Sequence, residues 1–284
     1  MERSSYFLSA NPYKPETISA AKFLAEQFLT AGARVALDAW LFENLGIGVR
    51  MEVQDIPGDT TAVISMGGDG TLLRVIAKVA QKGLPVLGIN MGHVGFLMEV
   101  GSDALDTVVE RLKSRDFVIE ERMMLTAKLN NGRSFDFMND IALMRGQYPS
   151  SVQVYAYAGN ELIFKVHGDG VLVSTPTGTT GYAVSAGGPI VSPYLECISI
   201  IPVCSHVLHQ RAVILGAEQI IKLEMDAKPG NVHQAIIDGQ TVISVTGHTE
   251  IVIGRSQVRA KFIRFSEQQF LTRLREKQME WSIE

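Results

Sequence analysis

The chain has few cysteines and no long apolar segment, and both shortages exclude whole classes of protein. Its two cysteines, Cys197 and Cys204, have neither CxxC spacing nor a partner cluster, which argues against a disulfide framework or a zinc site and predicts buried thiols. The longest apolar runs, such as residues 198–204, fall far short of the ~20 residues that span a bilayer. The apolar patch near the N-terminus is also too short for a signal peptide. We therefore expect a cytoplasmic protein that does not enter a membrane.

An excess of basic charge is also missing. The chain carries 26 lysines and arginines against 30 aspartates and glutamates, for a formal net charge of −4 at pH 7. Nucleic-acid-binding proteins usually show a basic stripe and a high pI, so we expect no nucleic-acid partner. With 284 residues, of which 46% are hydrophobic, the chain is long enough for two globular domains.

Two patterns of secondary structure divide the chain. Over residues 1–118, short apolar strands alternate with helical segments, which predicts an α/β domain with a parallel sheet, Rossmann-like or phosphofructokinase-like. Ser102 is expected to cap a helix over residues 103–113 of this domain. Residues 119–265 carry the short alternating segments typical of an all-β domain. The tail, residues 266–284, is helical again and is expected to return to the first domain.

The sequence GGDGT, residues 67–71, follows an apolar strand and opens a helix. Ligands of parallel sheets bind beyond the carboxyl ends of the strands, and a helix N-terminus offers N–H groups to an anion such as phosphate. Glycines allow the backbone to approach a ligand closely. The single carboxylate here, Asp69, suits an acid–base role in phosphoryl transfer. The alternative is that Asp69 only caps the helix and that the glycines only shape the turn.

Two further stretches are unusually polar for their surroundings. Residues 169–189 read DGVLVSTPTGTTGYAVSAGGP, and hydroxyls at this density suit phosphate or base edges, with Tyr182 able to stack on a purine. The alternative is a surface loop that needs these residues for its turns. Asn139 and Asp140 stand in an apolar strand predicted over residues 135–143, so either ligand hydroxyls or the backbone must satisfy them. The chain has no GxxxxGK[ST] and no GxGxxG, which argues against a P-loop NTPase and a Rossmann oxidoreductase.

Taken together, these stretches resemble the NAD kinases over nearly the whole chain. The markers of the resemblance are GGDGT at 67–71, GINMGHVGFL at 88–97, MND at 138–140, GDGVLVSTPTGTTGYAVSAGGP at 168–189 and IDGQ at 237–240. GGDGT alone is shared with phosphofructokinases and lipid kinases, whereas its combination with the long block at 168–189 is highly specific. The resemblance implies transfer of the γ-phosphoryl group of ATP to the 2′-hydroxyl of the adenosine ribose of NAD, giving NADP. It also implies Mg²⁺ or another divalent cation bound with ATP, and a homodimer or homotetramer.

The resemblance implies a role for individual residues as well. Asp69 becomes the catalytic proton acceptor, and no set of side chains is expected to bind a metal without ATP. The residues implied in nucleotide binding are Gly67, Gly68, Gly70, Thr71, Arg74, Asn139, Asp140, His167, Asp169, Thr177, Thr180, Gly181, Tyr182, Ser185 and Gln240. Three of them depart from the usual family pattern, since Asp140 replaces a glutamate, His167 an arginine and Gly181 an alanine.

Two other functions remain open from the sequence. A kinase of a lipid or sugar could share the GGDGT turn, although lipid kinases lack the block at 168–189. A non-catalytic dinucleotide sensor could retain the binding loops, although it would not need Asp69. His206 and His209 form an HxxH pair, but no carboxylate or cysteine neighbour completes a metal site.

Overall fold

The computed structural model describes residues 4–92, 95–146, 151–227, 231–266 and 270–281. The chain forms two compact units, Met1–Glu121 with Arg259–Glu284 and Arg122–Val258. The first unit therefore combines both ends of the chain. None of the described helices has the length and the apolar character needed to cross a membrane.

The secondary structure alternates in the first part of the chain and is almost entirely β in the second. The strands are β1 Ser5–Ala10, β2 Arg34–Leu37, β3 Val49–Arg50, β4 Ala62–Gly67, β5 Pro85–Asn90, β6 Val100–Gly101, β7 Val118–Leu129, β8 Ser134–Phe137, β9 Asp140–Met144, β10 Val152–Ala158, β11 Glu161–Gly168, β12 Gly170–Ser174, β13 Cys197–Val203, β14 Val213–Gly216, β15 Ile221–Asp226, β16 His233–Ile237, β17 Thr241–Val245 and β18 His248–Arg264. The helices are α1 Glu16–Thr30, α2 Ala39–Leu45, α3 Asp69–Val79, α4 Leu105–Ser114, α5 Tyr182–Ser185 and α6 Phe270–Trp281.

The first unit is built on a parallel sheet, as the alternation of strands and helices predicts. Its strands lie in the order β3-β2-β1-β4-β5, and the end of β18 pairs in parallel with β5. The apolar face of α1 packs on this sheet, and the ring of Phe28 stacks on Tyr6 with 4.1 Å between centroids. Gly67 and Asn90 are register partners at the carboxyl ends of β4 and β5, so the GGDGT turn opens at that edge of the sheet.

One local prediction for the first unit is wrong. Ser102 does not cap the following helix, because it lies inside a 3₁₀ turn, Ser102–Ala104, and neither that turn nor α4 has a side-chain cap. The helix itself exists but begins two residues later than predicted, at Leu105.

The second unit is antiparallel and contains two sheets. One is six-stranded, in the order β14-β13-β12-β9-β16-β17, and the other includes β11-β10-β15 and the first part of β18. A large core of buried apolar side chains in this unit includes Leu125, Ile141, Val173 and Leu223, and a smaller cluster includes Leu172 and Ile201. The strand predicted over residues 135–143 is two strands, β8 and β9, with Met138 and Asn139 between them.

The prediction of two buried thiols is correct for only one cysteine. Cys197 is buried at the start of β13, whereas Cys204 is exposed. Cys204 directly follows the last residue of β13 and has a φ of +46°, so the chain leaves the sheet there. Both thiols are free.

Candidate active site

Asp69 is the first residue of α3 and is held by backbone amides from another segment of the first unit. Its Oδ2 accepts a hydrogen bond from the Phe96 N–H at 2.8 Å, and its Oδ1 accepts one from the Leu97 N–H at 3.2 Å. Gly68 is the N-cap of α3, and no side chain caps that helix. The simpler explanation, that Asp69 is only a helix cap, is therefore wrong.

The glycines around Asp69 are of two kinds. A Cβ on Gly67 would lie 2.7 Å from Thr71 Oγ1, so this glycine is required for packing inside the turn. A Cβ on Gly68 or on Gly70 would meet no protein atom within 4 Å. Internal packing does not explain the last two glycines, whereas close approach by a ligand would.

Gly95 is a residue of the site that the sequence analysis did not select. A Cβ at this position would lie 2.3 Å from Asp69 Oδ1, so only glycine leaves room for the carboxylate where it is bound. Gly95 directly precedes Phe96, the first of the two amide donors. The available signal was the pair of glycines in GINMGHVGFL just beyond the end of β5.

Two other residues implied for this region lie on the same helix. Thr71 is buried in the first turn of α3, and Arg74 is exposed in the next turn. The first turn of α3 also presents the helix N-terminus, whose partial positive charge attracts anions. The first unit thus places the Asp69 carboxylate in the first turn of a helix whose N-terminus carries partial positive charge.

In the second unit, Asp238 organises the MND segment through the backbone. Its carboxylate accepts hydrogen bonds from the N–H groups of Met138 at 3.0 Å, Asn139 at 2.7 Å and Asp140 at 3.1 Å. Its own N–H donates to the Asp140 carbonyl, and its φ is +49°. From the IDGQ motif the family resemblance implies only Gln240 as a contact, and the Asp-Gly pair after an apolar strand was the available signal for Asp238.

The buried carboxyls of this segment have altered proton affinity. Asp140 is 5% exposed, and burial, with the nearby Asp238 charge adding to it, raises its pKa to about 7. Burial also raises the pKa of Asp238, while its three backbone donors oppose that rise. Because those donors stabilise the ionised form of Asp238, we assign the proton to Asp140 near neutral pH. Asp140 can then either donate or accept a hydrogen bond.

Asn139 lies next to Asp140 and close to Gly181, which is one of the three residues at which the chain departs from the family pattern. A Cβ on Gly181 would lie 3.4 Å from Asn139 Nδ2 and 4.0 Å from Asp140 Oδ2. Among the described residues, the buried Asn139 Oδ1 has no hydrogen-bond partner. A buried amide oxygen left unpaired costs ~1–3 kcal/mol, so a ligand that donates to it would be favoured.

The threonine hydroxyls of the loop between β12 and α5 donate mainly to backbone carbonyls of the second unit. Thr175 Oγ1 donates to the Met138 carbonyl at 2.5 Å, Thr179 Oγ1 to the Pro176 carbonyl at 2.6 Å, and Thr180 Oγ1 to the Thr177 carbonyl at 3.1 Å. The idea that hydroxyl density by itself marks phosphate binding is therefore wrong for the fully buried Thr175 and Thr179. Their hydroxyls fix the shape of the loop.

The remaining implied residues are spread around this loop. Tyr182 begins α5 with its side chain 43% exposed, Ser185 ends that helix, and Gln240 is exposed after β16. The N–H of Gly181 donates to the Gly178 carbonyl at 2.9 Å, so this donor is used inside the loop.

Asp169 and His167 each have a polar partner in the second unit. Arg145 Nε lies 2.7 Å from Asp169 Oδ1, and Ser151 Oγ lies 2.6 Å from His167 Nε2. Arg145 was not selected from the sequence. It supplies a guanidinium close to the segment in which His167 replaces the arginine usual in the family.

In the part of the chain that the structure describes, no cluster of side chains is placed to bind a metal ion. Those residues include no group of three or more His, Cys, Asp or Glu side chains placed to hold an ion. His206 lies against His167, with 4.8 Å between ring centroids.

Comparisons with known proteins cover almost the whole chain. Residues 7–117 match the family model described as the ATP-NAD kinase N-terminal domain, and residues 138–265 match the ATP-NAD kinase C-terminal domain. An NAD kinase of Symbiobacterium thermophilum is 32% identical over 96% of this chain and 98% of the relative. An NAD kinase of Ruminiclostridium cellulolyticum is 38% identical over 80% of each chain.

Two solved structures share the fold. The yeast NADH kinase complexed with NADH has a TM-score of 0.86 at 22% identity, covering 97% of this chain and 87% of the yeast chain. The NAD kinase from Archaeoglobus fulgidus in complex with ATP has a TM-score of 0.76 at 22% identity, covering 96% and 99%.

Proposed function

The chain belongs to the NAD kinase family and phosphorylates NAD to NADP with ATP, and on this premise we propose that Asp69 is the general base of the reaction. The observation that carries the proposal is the way in which the carboxylate is bound. Two backbone amides fix it, one to each oxygen, and each oxygen keeps a further lone pair for an incoming hydroxyl.

The surroundings of Asp69 suit a phosphoryl transfer. Gly68 and Gly70 leave open space on either side of it along the chain, and the N-terminus of α3 provides positive potential for phosphate oxygens. Asp69 takes the proton from the 2′-hydroxyl of the adenosine ribose as the ribose oxygen bonds to the γ-phosphorus of ATP. The bond from that phosphorus to the bridging oxygen breaks, and ADP leaves with the bond electrons.

We assign recognition of the dinucleotide to the second unit. Asn139 offers an unpaired buried amide oxygen, and Asp140, with a pKa of about 7, can donate or accept beside it. Tyr182 presents an exposed ring at the start of α5 that can stack on an aromatic base. Thr177, Thr180, Ser185, Gln240, His167 and Asp169 remain proposed contacts on the strength of the family resemblance.

The divalent cation is proposed to arrive with ATP. Mg²⁺ is commonly bound by one or two carboxylates together with substrate phosphates, and it neutralises charge on the transferring group. The donors near the site fit that mode, because Asp69 is the single carboxylate of the GGDGT turn and the described residues contain no cluster of three or more His, Cys, Asp or Glu side chains placed to hold an ion. We further propose a homodimer or homotetramer on the basis of the family resemblance alone, and a cytoplasmic location on the basis of the short apolar runs in the sequence.

The test of the base assignment is Asp69→Asn, which retains size and polarity but cannot take a proton. We expect kcat to fall by ~10²–10⁴, equivalent to ~3–5 kcal/mol of barrier, with little change in NAD affinity. ADP and NADP are measured together, and the exposed Asp55→Asn of the same unit is the matched control. Wild-type turnover in the Asp69→Asn variant would falsify the assignment.

A further inference from the structure

The segment whose amides hold Asp69 is itself held by two buried arginines of the first unit. Arg273, on the C-terminal helix α6, donates from Nη1 to the Phe96 carbonyl at 3.3 Å. Arg264, at the end of β18, donates from Nη1 to the Leu97 carbonyl at 3.0 Å. Both the carbonyls and the N–H groups of Phe96 and Leu97 are therefore hydrogen-bonded to charged side chains.

The arginines belong to a buried network of compensated charges. Arg273 Nη2 and Arg264 Nη1 lie 2.9 Å and 3.2 Å from the same oxygen, Glu99 Oε2. Arg264 Nε also pairs with Glu120 at 2.9 Å. The Glu99 side chain is 2% exposed, and its second oxygen accepts from the Phe265 N–H at 2.8 Å. Removing one member of such a network leaves a buried charge without its partner, so its geometry is tightly constrained.

Arg273 and Asp69 contact opposite ends of a single peptide group. The carbonyl of Phe96 and the N–H of Leu97 belong to the same planar unit. Arg273 donates to that carbonyl, and that N–H donates to Asp69 Oδ1. A positive charge at the oxygen end polarises the peptide and strengthens its N–H as a donor to a carboxylate, most of all in a buried site.

We propose that Arg273 is a positioning residue for the kinase reaction, acting on Asp69 through the peptide between Phe96 and Leu97. The inference rests on the proposed role of Asp69 as general base. Its consequence is that the C-terminal helix contributes to turnover as well as to folding.

The first test separates turnover from binding. We expect Arg273→Met to lower kcat about 5- to 20-fold, with KM for NAD and for ATP within twofold of wild type. Arg273→Lys keeps the charge and should recover at least half of the loss on a logarithmic scale. Arg275→Met, at an exposed position of the same helix, is the matched control and should leave kcat unchanged. Equal losses in kcat for the Met and Lys variants, or a KM effect alone, would overturn the inference.

The second test is a double-mutant cycle with Asp69→Asn. If Arg273 acts through the carboxylate, then Arg273→Met should reduce the residual turnover of Asp69→Asn by less than twofold. A purely structural role would repeat the full 5- to 20-fold loss in both backgrounds, and that result would refute the inference. Arg273→Gln, which also removes the charge but keeps a polar side chain, takes the same place in the cycle if the Met variant melts below the assay temperature.

The cycle also distinguishes the positioning role of Arg273 from the assignment of Asp69 as general base, on which it rests. Wild-type turnover in Asp69→Asn would remove the base assignment and the inference together. If Asp69→Asn loses most of its kcat, and Arg273→Met lowers kcat by the same factor in both backgrounds, the base assignment stands and only the role of Arg273 is removed.

Discussion

Gly95→Ala tests whether turnover depends on the position of the Asp69 carboxylate, without changing any charged or polar group. The added Cβ would lie 2.3 Å from Asp69 Oδ1, which is far inside van der Waals contact, and a tight 3.0 Å from its Cγ. The carboxylate would have to move by about 1 Å to bring this distance to an ordinary van der Waals contact. A free side chain would move at little cost, but this carboxylate is bound by the amides of Phe96 and Leu97. Movement must therefore lengthen or break at least one of these bonds.

The expected effect of Gly95→Ala is a loss of ~10² in kcat. A misplacement of about 1 Å in a catalytic group costs roughly that factor, which corresponds to ~2.7 kcal/mol. One hydrogen bond to a charged group contributes ~1.5–3 kcal/mol, so two independent arguments give the same order of magnitude. The assay follows ADP and NADP formation and reports kcat and both KM values.

The control is Gly58→Ala, also in the first unit, where a Cβ would meet nothing within 4 Å and φ is not positive. We expect it to match wild type in turnover. The reasoning is refuted if Gly95→Ala keeps kcat within twofold of wild type while its melting temperature is unchanged, because the bound carboxylate would then not need its observed place.

Three further predictions concern the second unit and the metal. The protonated Asp140 contributes stability that is fully present below about pH 4 and is lost as the pH rises through its pKa of about 7. Asp140→Asn should therefore raise the melting temperature clearly at pH 8 and hardly at pH 4, with a gain in the free energy of unfolding of at most ~4 kcal/mol. A gain that does not depend on pH would contradict this prediction. Gly181→Ala would place a Cβ 3.3 Å from the Gly178 carbonyl and should change NAD affinity less than about fivefold. Gly181→Pro removes the N–H that donates to that carbonyl, and titration should show NAD binding weakened ~5- to 100-fold. Similar losses in the two variants would show that glycine itself is required. EDTA should abolish activity reversibly without lowering the melting temperature, and tight stoichiometric metal in the nucleotide-free enzyme, measured by calorimetry, would count against metal delivery with ATP.

Local patterns in the sequence predict those parts of the fold that local physics determines. The apolar run before GGDGT predicted β4, and the helical pattern after it predicted α3. The glycines around Asp69 marked a strand end followed by a helix, which is where the site lies in the first unit. Each of these features depends on residues a few positions apart, so they are visible without the fold.

The features that the sequence did not reveal depend on distant partners. Asp238 accepts from Met138 and Asp140, which lie 100 and 98 residues away, and this contact helps to separate β8 from β9. The alternation of apolar and polar residues in a strand cannot show that a carboxylate distant in the sequence accepts these N–H groups in place of a neighbouring strand. The hydroxyls of Thr175 and Thr179 are a second case, because their composition suggested a ligand while their geometry assigns them to the loop.

The discontinuity of the first unit has a consequence for the order in which the protein matures during synthesis. Glu99 pairs with Arg273, 174 residues further along the chain. Closing a flexible chain of that length costs about 5 kcal/mol in entropy, and prior folding of residues 122–258 reduces the freedom that remains. At ~5–20 residues per second, α6 leaves the ribosome roughly ten seconds or more after residue 99 has been made. A nascent or truncated chain can therefore form β1–β5 and the GGDGT turn before Arg273 is available to the Phe96 carbonyl. Full turnover would be reached only when the last helix is in place, so a chain that terminates before α6 would have a reduced kcat.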